Sequence, residues 1–447
     1  MNIQRQIPWT KKLLIPYLTL IILLLPLILI IPPNNMLSVD AQETELKPFT
    51  EADILSMGVK WSYVRPDSSP EGNSTSWKLR WSPDGTMIAI VYFDNTTVIL
   101  DSQTGEVIHA LGASAKVIMS PDEKTSRGTG PSANTRCWGW TNKPSVPILR
   151  SVAWAPDGKL LAVGGDNRLI EIYNTKSWEL ETILSGHEGS VLSLDWSPDG
   201  KRLASGEGTD QILPHNQAEC KNYINIWNLA SHKVEHTLKG HNDGVISVSW
   251  SKNGSWLASA SDDRNIKLWD ANNGTLIATL GEGIGHSAGV LDVQWSPNQT
   301  QLVSGSRDFK IRLWDVESKT PIGKPWKDQN CVRSTHWHPE GKFIATAGVD
   351  QTLKIRNATS GKEIKIFEEP GETNSEVMSA RWSPDGKKIA ICTSRDATVR
   401  LYATGFETAE TEANDWISGI SIFIVICIIG LILIYIPLRF ELRERRK

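Results

Sequence analysis

The chain has 447 residues, a formal net charge of −3 and 19 tryptophans, a composition typical of a folded protein with a large core rather than of a disordered one. Between the two ends, residues 42–438 carry 39 basic and 47 acidic residues, which gives a net charge of −8. A nucleic-acid-binding surface needs a basic patch, so we do not expect nucleic acid as a partner.

The chain begins with a basic segment followed by an apolar run. Three basic residues precede 19 uncharged residues at 13–31, about the length that crosses a bilayer. Residues 1–41 therefore have two open interpretations. The small residues around Val39-Asp40-Ala41 favour a cleaved signal peptide, whereas the long apolar run favours an uncleaved transmembrane anchor. Residues 42–56 are predicted to be a linker.

Residues 57–403 contain one motif that recurs seven times. Its best copy, residues 240–270, begins with Gly-His, alternates apolar and polar residues up to Trp250, turns at Asn253-Gly254 and ends in Trp269-Asp270. Period-2 alternation between tight turns predicts short antiparallel strands. The tryptophans in the equivalent slot are Trp81, Trp154, Trp196, Trp250, Trp295, Trp337 and Trp382.

This repeat, with its Gly-His and Trp-Asp pairs, resembles the WD40 repeat family. The resemblance implies an all-β fold, a seven-bladed β-propeller of four-stranded antiparallel blades. The apolar runs outside the repeats add the prediction of an apolar helix at each chain end. The last repeat lacks a fourth strand of its own, and residues 57–64 form a strand that precedes the first blade. Pairing this strand with the last blade would close the ring and cover its open edge.

Two of the intervals between these tryptophans are long and predict insertions at residues 112–146 and 206–222. In the propeller fold both loops leave the same face, which we call the top face. Trp and Arg are the usual anchors of protein interfaces, so the insertions supply the candidate partner-binding residues, although loops packed on themselves remain the alternative. These candidates are Arg136, Trp138, Trp140 and His215.

The cysteines suggest one cross-link between the insertions. Cys137 and Cys220 lie one in each insertion, and an exported domain would be in an oxidising compartment. We therefore predict a disulfide between them. Cys331 and Cys392 fall in predicted strands and are interpreted as buried thiols.

The resemblance also implies a hydrogen-bonded tetrad of His, Ser, Asp and Trp in each well-matched blade. A buried polar group without a partner costs about 1–3 kcal/mol, so the predicted role is structural. Repetition argues against a catalytic triad, which needs one activated nucleophile in a cleft. The two full tetrads are His241, Ser259, Asp263, Trp269 and His286, Ser304, Asp308, Trp314.

The third blade matches the tetrad only in part. It offers His187, Ser205 and Trp227, with Asp210 displaced by the insertion. Elsewhere, His336 and His338 flank a repeat tryptophan, but no second group of ligands accompanies them, so no metal site is predicted. No cofactor, obligatory small molecule or enzymatic activity is expected.

Six Asn-X-Ser/Thr motifs are candidate N-glycosylation sites. Four of them, from residue 253 onward, are predicted to lie on the face opposite the insertions, which we call the bottom face. Glycans there would leave the top face open to a partner. The six asparagines are Asn73, Asn95, Asn253, Asn273, Asn298 and Asn357.

The chain ends in an acidic linker at 404–415, a transmembrane helix at 416–438 and a basic tail at 439–447. The helix is predicted from 23 uncharged residues. Basic residues at the outer ends of both apolar segments place both termini in the cytoplasm by the positive-inside rule. The expected location is a cell membrane or endomembrane, with the propeller on the exoplasmic side.

The function expected from the resemblance is a membrane-anchored, extracytoplasmic scaffold for an unidentified protein partner. Three alternatives remain open. The propeller could be an enzyme or ligand-binding sensor that uses its central channel. It could face the cytoplasm as a membrane-tethered trafficking adaptor. It could also serve mainly in a cell-surface or envelope structure.

Overall fold

The structure, a computed structural model, describes residues 50–66, 75–112, 148–208, 221–281, 283–369 and 375–403. These residues form seven four-stranded antiparallel sheets. The first strand of each sheet packs against those of both neighbouring sheets around a full circle. The prediction of a seven-bladed β-propeller is therefore confirmed.

The blades follow one another in chain order, and each runs from an inner strand at the channel to an outer strand. Blades 1 to 4 contain β2 (Ser76–Trp81), β3 (Met87–Tyr92), β4 (Thr96–Asp101) and β5 (Val107–Gly112); β6 (Leu149–Trp154), β7 (Leu160–Gly165), β8 (Leu169–Asn174) and β9 (Leu180–Ser185); β10 (Ser190–Trp196), β11 (Arg202–Gly208), β12 (Ile224–Asn228) and β13 (Lys233–Leu238); and β14 (Val245–Trp250), β15 (Trp256–Ser261), β16 (Ile266–Asp270) and β17 (Thr275–Leu280). Blades 5 to 7 contain β18 (Val290–Trp295), β19 (Gln301–Ser306), β20 (Lys310–Asp315) and β21 (Thr320–Lys327); β22 (Val332–Trp337), β23 (Phe343–Gly348), β24 (Thr352–Asn357) and β25 (Glu363–Glu368); and β26 (Val377–Trp382), β27 (Lys388–Thr393), β28 (Thr398–Ala403) and β1 (Gly58–Val64).

Blade 7 is completed by the strand that precedes blade 1. β1 runs antiparallel to β28, with Val59 opposite Tyr402 and Val64 opposite Thr398. The outer strand of the last blade thus comes from the start of the propeller, as the sequence predicted. This pairing joins the two ends of the ring without leaving β28 as an open edge.

The repeated tryptophans hold neighbouring blades together. Each lies at the end of an inner strand and is almost fully buried. In five blades its indole N–H donates a hydrogen bond to a backbone carbonyl of the preceding blade, which satisfies the polar atom inside an apolar contact. These bonds are Trp81 to Arg381, Trp154 to Arg80, Trp196 to Ala153, Trp250 to Asp195 and Trp295 to Ser249.

One short helix lies where the sequence analysis expected only a linker. α1 (Glu51–Ser56) starts with a capping box, in which the side chain of Thr50 accepts from the backbone N–H of Asp53 and the Asp53 carboxylate accepts from that of Thr50. Ile54 and Met57 are buried in the cluster shared by blades 6 and 7. From blade 6, Lys365 donates to the carbonyl of Leu55 at 2.9 Å. The helix therefore covers the junction of these two blades.

The apolar helices predicted at the two chain ends fall on residues 1–41 and 416–438, which lie outside the described residues. Across the ranges that the structure describes, no helix is long and apolar enough to cross a membrane.

Candidate functional site

The tetrad of blade 4 is a continuous chain of hydrogen bonds. The indole N–H of Trp269 donates to Ser259 Oγ at 2.8 Å, and Ser259 lies 2.7 Å from His241 Nε2. His241 Nδ1 lies 2.8 Å from the carboxylate of Asp263. One ring nitrogen of His241 thus faces the carboxylate and the other faces the serine hydroxyl.

Blade 5 repeats the same chain. Trp314 donates to Ser304 Oγ at 2.8 Å, Ser304 lies 2.8 Å from His286 Nε2, and His286 Nδ1 lies 3.0 Å from Asp308. In both blades the serine is fully buried and its hydroxyl is already bonded on two sides. Neither serine is placed to attack a substrate, which agrees with a structural role.

Blade 3 completes its tetrad with an acid that the sequence analysis missed. His187 lies 2.6 Å from Ser205, and Trp227 donates to the same serine at 2.7 Å. The carboxylate is Glu207, 2.9 Å from His187 Nδ1, whereas Asp210 lies outside the described residues. Glu207 stands two residues after the serine, so a search limited to the usual Asp position could not find it.

Blade 6 carries a charged version of the tetrad. Asp328, Thr346, Asp350 and Arg356 occupy the positions of His, Ser, Asp and Trp at the intervals seen in blades 4 and 5. Arg356 donates to Thr346 at 3.2 Å and to Asp328 at 2.9 Å, while Lys354 forms ion pairs with Asp328 and Asp350. The preserved spacing could have revealed the site from the sequence, although only Asp350 keeps the expected residue type.

The carboxylates of the tetrads are held in the ionised form. Burial alone would raise the pKa of Asp263, but hydrogen bonds from His241 and from the backbone N–H of Asn242 and Asn265 hold that pKa at about 2. Asp308 has the same balance, with His286 as the main donor, and its pKa is also about 2. Burial lowers the pKa of His286, which favours its neutral form.

The two histidines beside Trp337 have separate partners. His336 Nδ1 accepts from the backbone N–H of Trp382 at 3.2 Å, and His338 Nε2 lies 3.1 Å from the carbonyl of Gly386. Within the described ranges, no group of three or more His, Cys, Asp or Glu side chains could hold a metal ion.

Of the two cysteines in the described residues, both predicted to be buried thiols, one has a different state in the structure. Cys392 is a buried free thiol, whose pKa is raised by burial to about 12. Cys331 is disulfide-bonded, so its interpretation as a buried thiol is wrong. Cys137 and Cys220 lie outside the described residues, and a disulfide between them stays a prediction.

The candidate partner-binding residues Arg136, Trp138, Trp140 and His215 also lie outside the described residues. The strands that flank their loops are described. β5 ends at Gly112, opposite the start of β4, and β11 ends at Gly208, opposite the start of β10. Both strand ends therefore lie on the top face.

An exposed apolar pair lies on this top face at blade 5. Ile284 and Phe309 are 59% and 44% exposed. Ile284 is two residues before His286 and Phe309 directly follows Asp308, so the hydrogen bond between these two tetrad members connects the loops that carry the pair. The tetrad thus connects the two loops that present these exposed apolar side chains to solvent.

Four of the candidate glycosylation sites are turn residues with a structural task. The side-chain oxygens of Asn253, Asn273, Asn298 and Asn357 accept from the backbone N–H two residues later, at 3.0–3.2 Å. Asp84 and Asp199 do the same in other blades. The turns alone therefore explain why Asn recurs on the bottom face. Of the other two asparagines, Asn95 lies in the β3–β4 turn on the top face and Asn73 lies outside the described residues. Glycosylation at all six asparagines stays a prediction.

Comparison with known proteins identifies the repeats. The family model described as "WD domain, G-beta repeat" matches residues 142–174 and 178–213. The chain carries WD40 repeats. Two related models match as well: "IFT122 first beta-propeller" at residues 217–418 and "Anaphase-promoting complex subunit 4 WD40 domain" at residues 50–121.

Similar curated proteins include the WD repeat-containing protein slp1 of Schizosaccharomyces pombe, which is 29% identical over 54% of this chain and 37% of its own length. Protein HIR1 of Cryptococcus neoformans is 29% identical over 62% of this chain and 28% of its own length. The Arabidopsis thaliana protein named "Cell division cycle 20.1, cofactor of APC complex" is 26% identical over 60% of this chain and 48% of its length. The chain thus matches less than half of each relative.

The predicted location at a cell membrane or endomembrane, with an exoplasmic propeller and a cytoplasmic tail, is wrong. Among the described residues no helix could cross a membrane, and the names of the three similar proteins given above, the WD repeat-containing protein slp1, protein HIR1 and cell division cycle 20.1, do not mention a membrane. The prediction rested on runs of apolar residues. The apolar content of a run does not by itself specify whether lipid or protein covers it.

Proposed function

We propose that the protein is a non-enzymatic scaffold that binds a protein partner on the top face of its propeller. The observation that carries this proposal is the exposed pair Ile284 and Phe309, held by the His286–Asp308 hydrogen bond on the face from which both insertions leave. An exposed apolar contact beside a rigid, fully bonded framework is typical of a protein interface.

The state of the tetrads supports a scaffold over an enzyme. The serines that could act as nucleophiles are buried and bonded on both sides. Their repetition in three blades fits a role in fixing loops at several points around the ring. Such a framework presents side chains to a partner at little cost in conformational entropy.

The names of the similar proteins also support binding to a protein partner. The Arabidopsis protein is named as a cofactor of the APC complex, so a chain similar over 60% of this one takes part in a multiprotein assembly. We extend to this chain only the general property, binding to another protein. Arg136, Trp138, Trp140 and His215 remain candidates for additional contacts because they belong to the insertions on this face.

The test compares top-face substitutions with a matched substitution elsewhere. Partners of the full chain in its own cells are first identified by proximity labelling, and their binding is then measured with purified proteins. The double variant Ile284→Asp, Phe309→Asp should weaken binding at least about tenfold, because it places charge in an apolar contact. Phe309 has a φ of 62°, a backbone conformation that Asp tolerates well.

The control is Leu276→Asp, on the outer strand of blade 4 and 45% exposed. It introduces a single aspartate away from the top face and should leave both binding and the melting temperature unchanged. If the double variant binds the partner as tightly as the wild type while remaining folded, the top-face proposal is wrong.

A further inference from the structure

The residues immediately before the repeated tryptophans form a ring at the bottom mouth of the channel. One member comes from each blade, and the ring is strongly asymmetric. Blades 5, 6, 7 and 1 are neighbours, and their members are all hydrogen-bond donors with long side chains, whereas blades 2 to 4 contribute small or acidic residues. In blade order from 1 to 7 the ring is Arg80, Ala153, Asp195, Ser249, Gln294, His336 and Arg381.

A cavity of about 330 Å³ opens beside the donor half of this ring. We call it the channel cup and define it by Arg80, Gln294, His336 and Arg381, together with the tryptophan that follows each. The prolines of three bottom-face turns complete its wall, and no acidic side chain lines it. The cup therefore combines a cationic donor surface with apolar and aromatic walls.

Three donors of the cup are not fully used by the protein. Within the described residues, the Arg80 side chain makes one hydrogen bond, to the carbonyl of Leu79, and no ion pair. His336 accepts at Nδ1, which leaves the proton on Nε2. The indole N–H of Trp337 is buried without an acceptor in the described part of the chain, unlike the tryptophans of blades 1 to 5. Unsatisfied buried donors of this kind are rare and call for an acceptor.

Two other cationic side chains near the cup already have partners in the protein. Lys78 reaches from blade 1 across the channel to the carbonyls of Leu192 and Ile246, at 3.1 and 3.3 Å. Arg381 pairs with the buried carboxylate of Asp292 at 3.0 Å. Burial lowers the pKa of Arg80 only to about 10, so its guanidinium is charged at neutral pH.

We propose that the channel cup binds a small organic phosphate, with the phosphoryl oxygens held by Arg80, His336 and the indole N–H of Trp337, and the organic group against the tryptophan and proline walls. A guanidinium is well suited to an oxyanion because its N–H groups form a planar fork. This site is independent of the protein partner proposed for the top face.

The volume favours an organic phosphate over inorganic phosphate. The five heavy atoms of phosphate displace at most about 150 Å³ at the ~30 Å³ per heavy atom of liquid water. This is less than half of the cavity of about 330 Å³. A cavity of this size lies at the small end of the range for ligand pockets.

The experiment is a titration of the full chain followed by tryptophan fluorescence, because four tryptophans line the cup. The probes are glycerol 2-phosphate and glucose 6-phosphate, with glycerol, glucose and inorganic phosphate as controls. We expect saturable binding of at least one phosphate ester, no response to the neutral probes, and weaker binding of inorganic phosphate. If neither ester binds, or if inorganic phosphate binds as tightly as the better ester, the proposal is overturned.

Variants then assign the binding to the cup. Arg80→Gln should weaken the ester at least about tenfold and Trp337→Phe a few-fold, whereas Arg80→Lys should have an intermediate effect because it keeps the charge and loses the fork. The control Lys252→Gln removes one charge from an exposed turn of the same face and should bind like the wild type. Since Arg80 makes one hydrogen bond, Arg80→Gln should fold normally, as circular dichroism would show. Ester binding by folded Arg80→Gln at wild-type strength would exclude the cup.

Discussion

Asp263 and Asp308 each accept the Nδ1 proton of a buried histidine, and each also accepts from backbone N–H groups. Their pKa values lie at about 2, below the ordinary value of 3.8. A carboxyl group with a depressed pKa in the folded state stabilises that state above its ordinary pKa, and the stabilisation is lost as the pH falls toward 2. The tetrads therefore make the propeller sensitive to acid.

This sensitivity can be measured for a single carboxylate. We expect Asp263→Asn to lower the free energy of unfolding by about 2 kcal/mol at pH 5, because each unit by which folding depresses the carboxyl pKa corresponds to about 1.4 kcal/mol. The difference from the wild type should shrink as the pH falls from 4 toward 2, since the wild-type carboxyl is then protonated. Urea unfolding over this pH range gives both quantities.

Other groups titrate in the same experiment, and the comparison with the wild type removes the contributions that both proteins share. Burial raises the pKa of Asp195 and Asp262 to about 6, so their protonation stabilises the fold as the pH drops below 6. The contribution of Asp195 is common to the variant and the wild type. That of Asp262 differs, because the neighbouring charge of Asp263 helps to raise its pKa, so Asp262 should titrate at a lower pH in the variant. The control Glu179→Gln, at an exposed position, should follow the wild type at every pH. A constant difference between Asp263→Asn and the wild type down to pH 2 would contradict the role of the charge.

The same residues show how far the sequence could predict the site. Blades 4 and 5 carry the expected residue types at the expected intervals. In blade 3 an insertion follows the second strand, and the chain supplies the acid from Glu207 inside that strand. In blade 6 Asp328 and Arg356 replace the His and the Trp and Thr346 replaces the Ser, because an Asp–Arg–Thr network satisfies the same buried positions as His–Trp–Ser. That two different sets of residues satisfy the same buried hydrogen-bonding positions can be recognised only from their contacts in the structure.

Helix α1 is an element that could not be predicted from the sequence pattern. The strands repeat seven times, and the repetition reveals them even where single copies are poor. The helix occurs once in the described chain and spans six residues, too few for a helical period to stand out. Its signal was the pair Thr50 and Asp53, a capping-box spacing followed by apolar Ile54 and Met57.

The helix should contribute to stability through one buried side chain. Ile54 is 0% exposed, whereas its neighbour Leu55 is 60% exposed. We expect Ile54→Ala to lower the free energy of unfolding by about 2–4 kcal/mol, within the range for buried aliphatic residues. Leu55→Ala is the matched control and should change it by less than about 0.5 kcal/mol. Equal effects of the two substitutions in urea unfolding would show that α1 does not pack as described.

For the whole propeller, residues 50–64 act as a clasp on the ring. α1 packs at the junction of blades 6 and 7, β1 supplies the outer strand of blade 7, and Trp61 in β1 donates to the carbonyl of Ser102 in blade 1 at 3.1 Å. The ring of Trp61 also lies against Gly105, where a Cβ atom would come within 2.7 Å of it. One segment therefore contacts three consecutive blades across the point where the chain closes.

The clasp should hold without a covalent link to blade 1. A protease site placed at residues 67–74, between β1 and β2, allows the folded protein to be cut there. The two fragments should remain together in gel filtration, because six residue pairs of β1 and β28, the buried face of α1 and the Trp61 contact all persist after cleavage. In the cut protein, Val59→Pro with Ser62→Pro should release the N-terminal fragment, since proline cannot donate to the ladder. Loss of that fragment from the cut wild-type protein would show that the contacts of residues 50–64 do not hold the ring without the covalent link to blade 1.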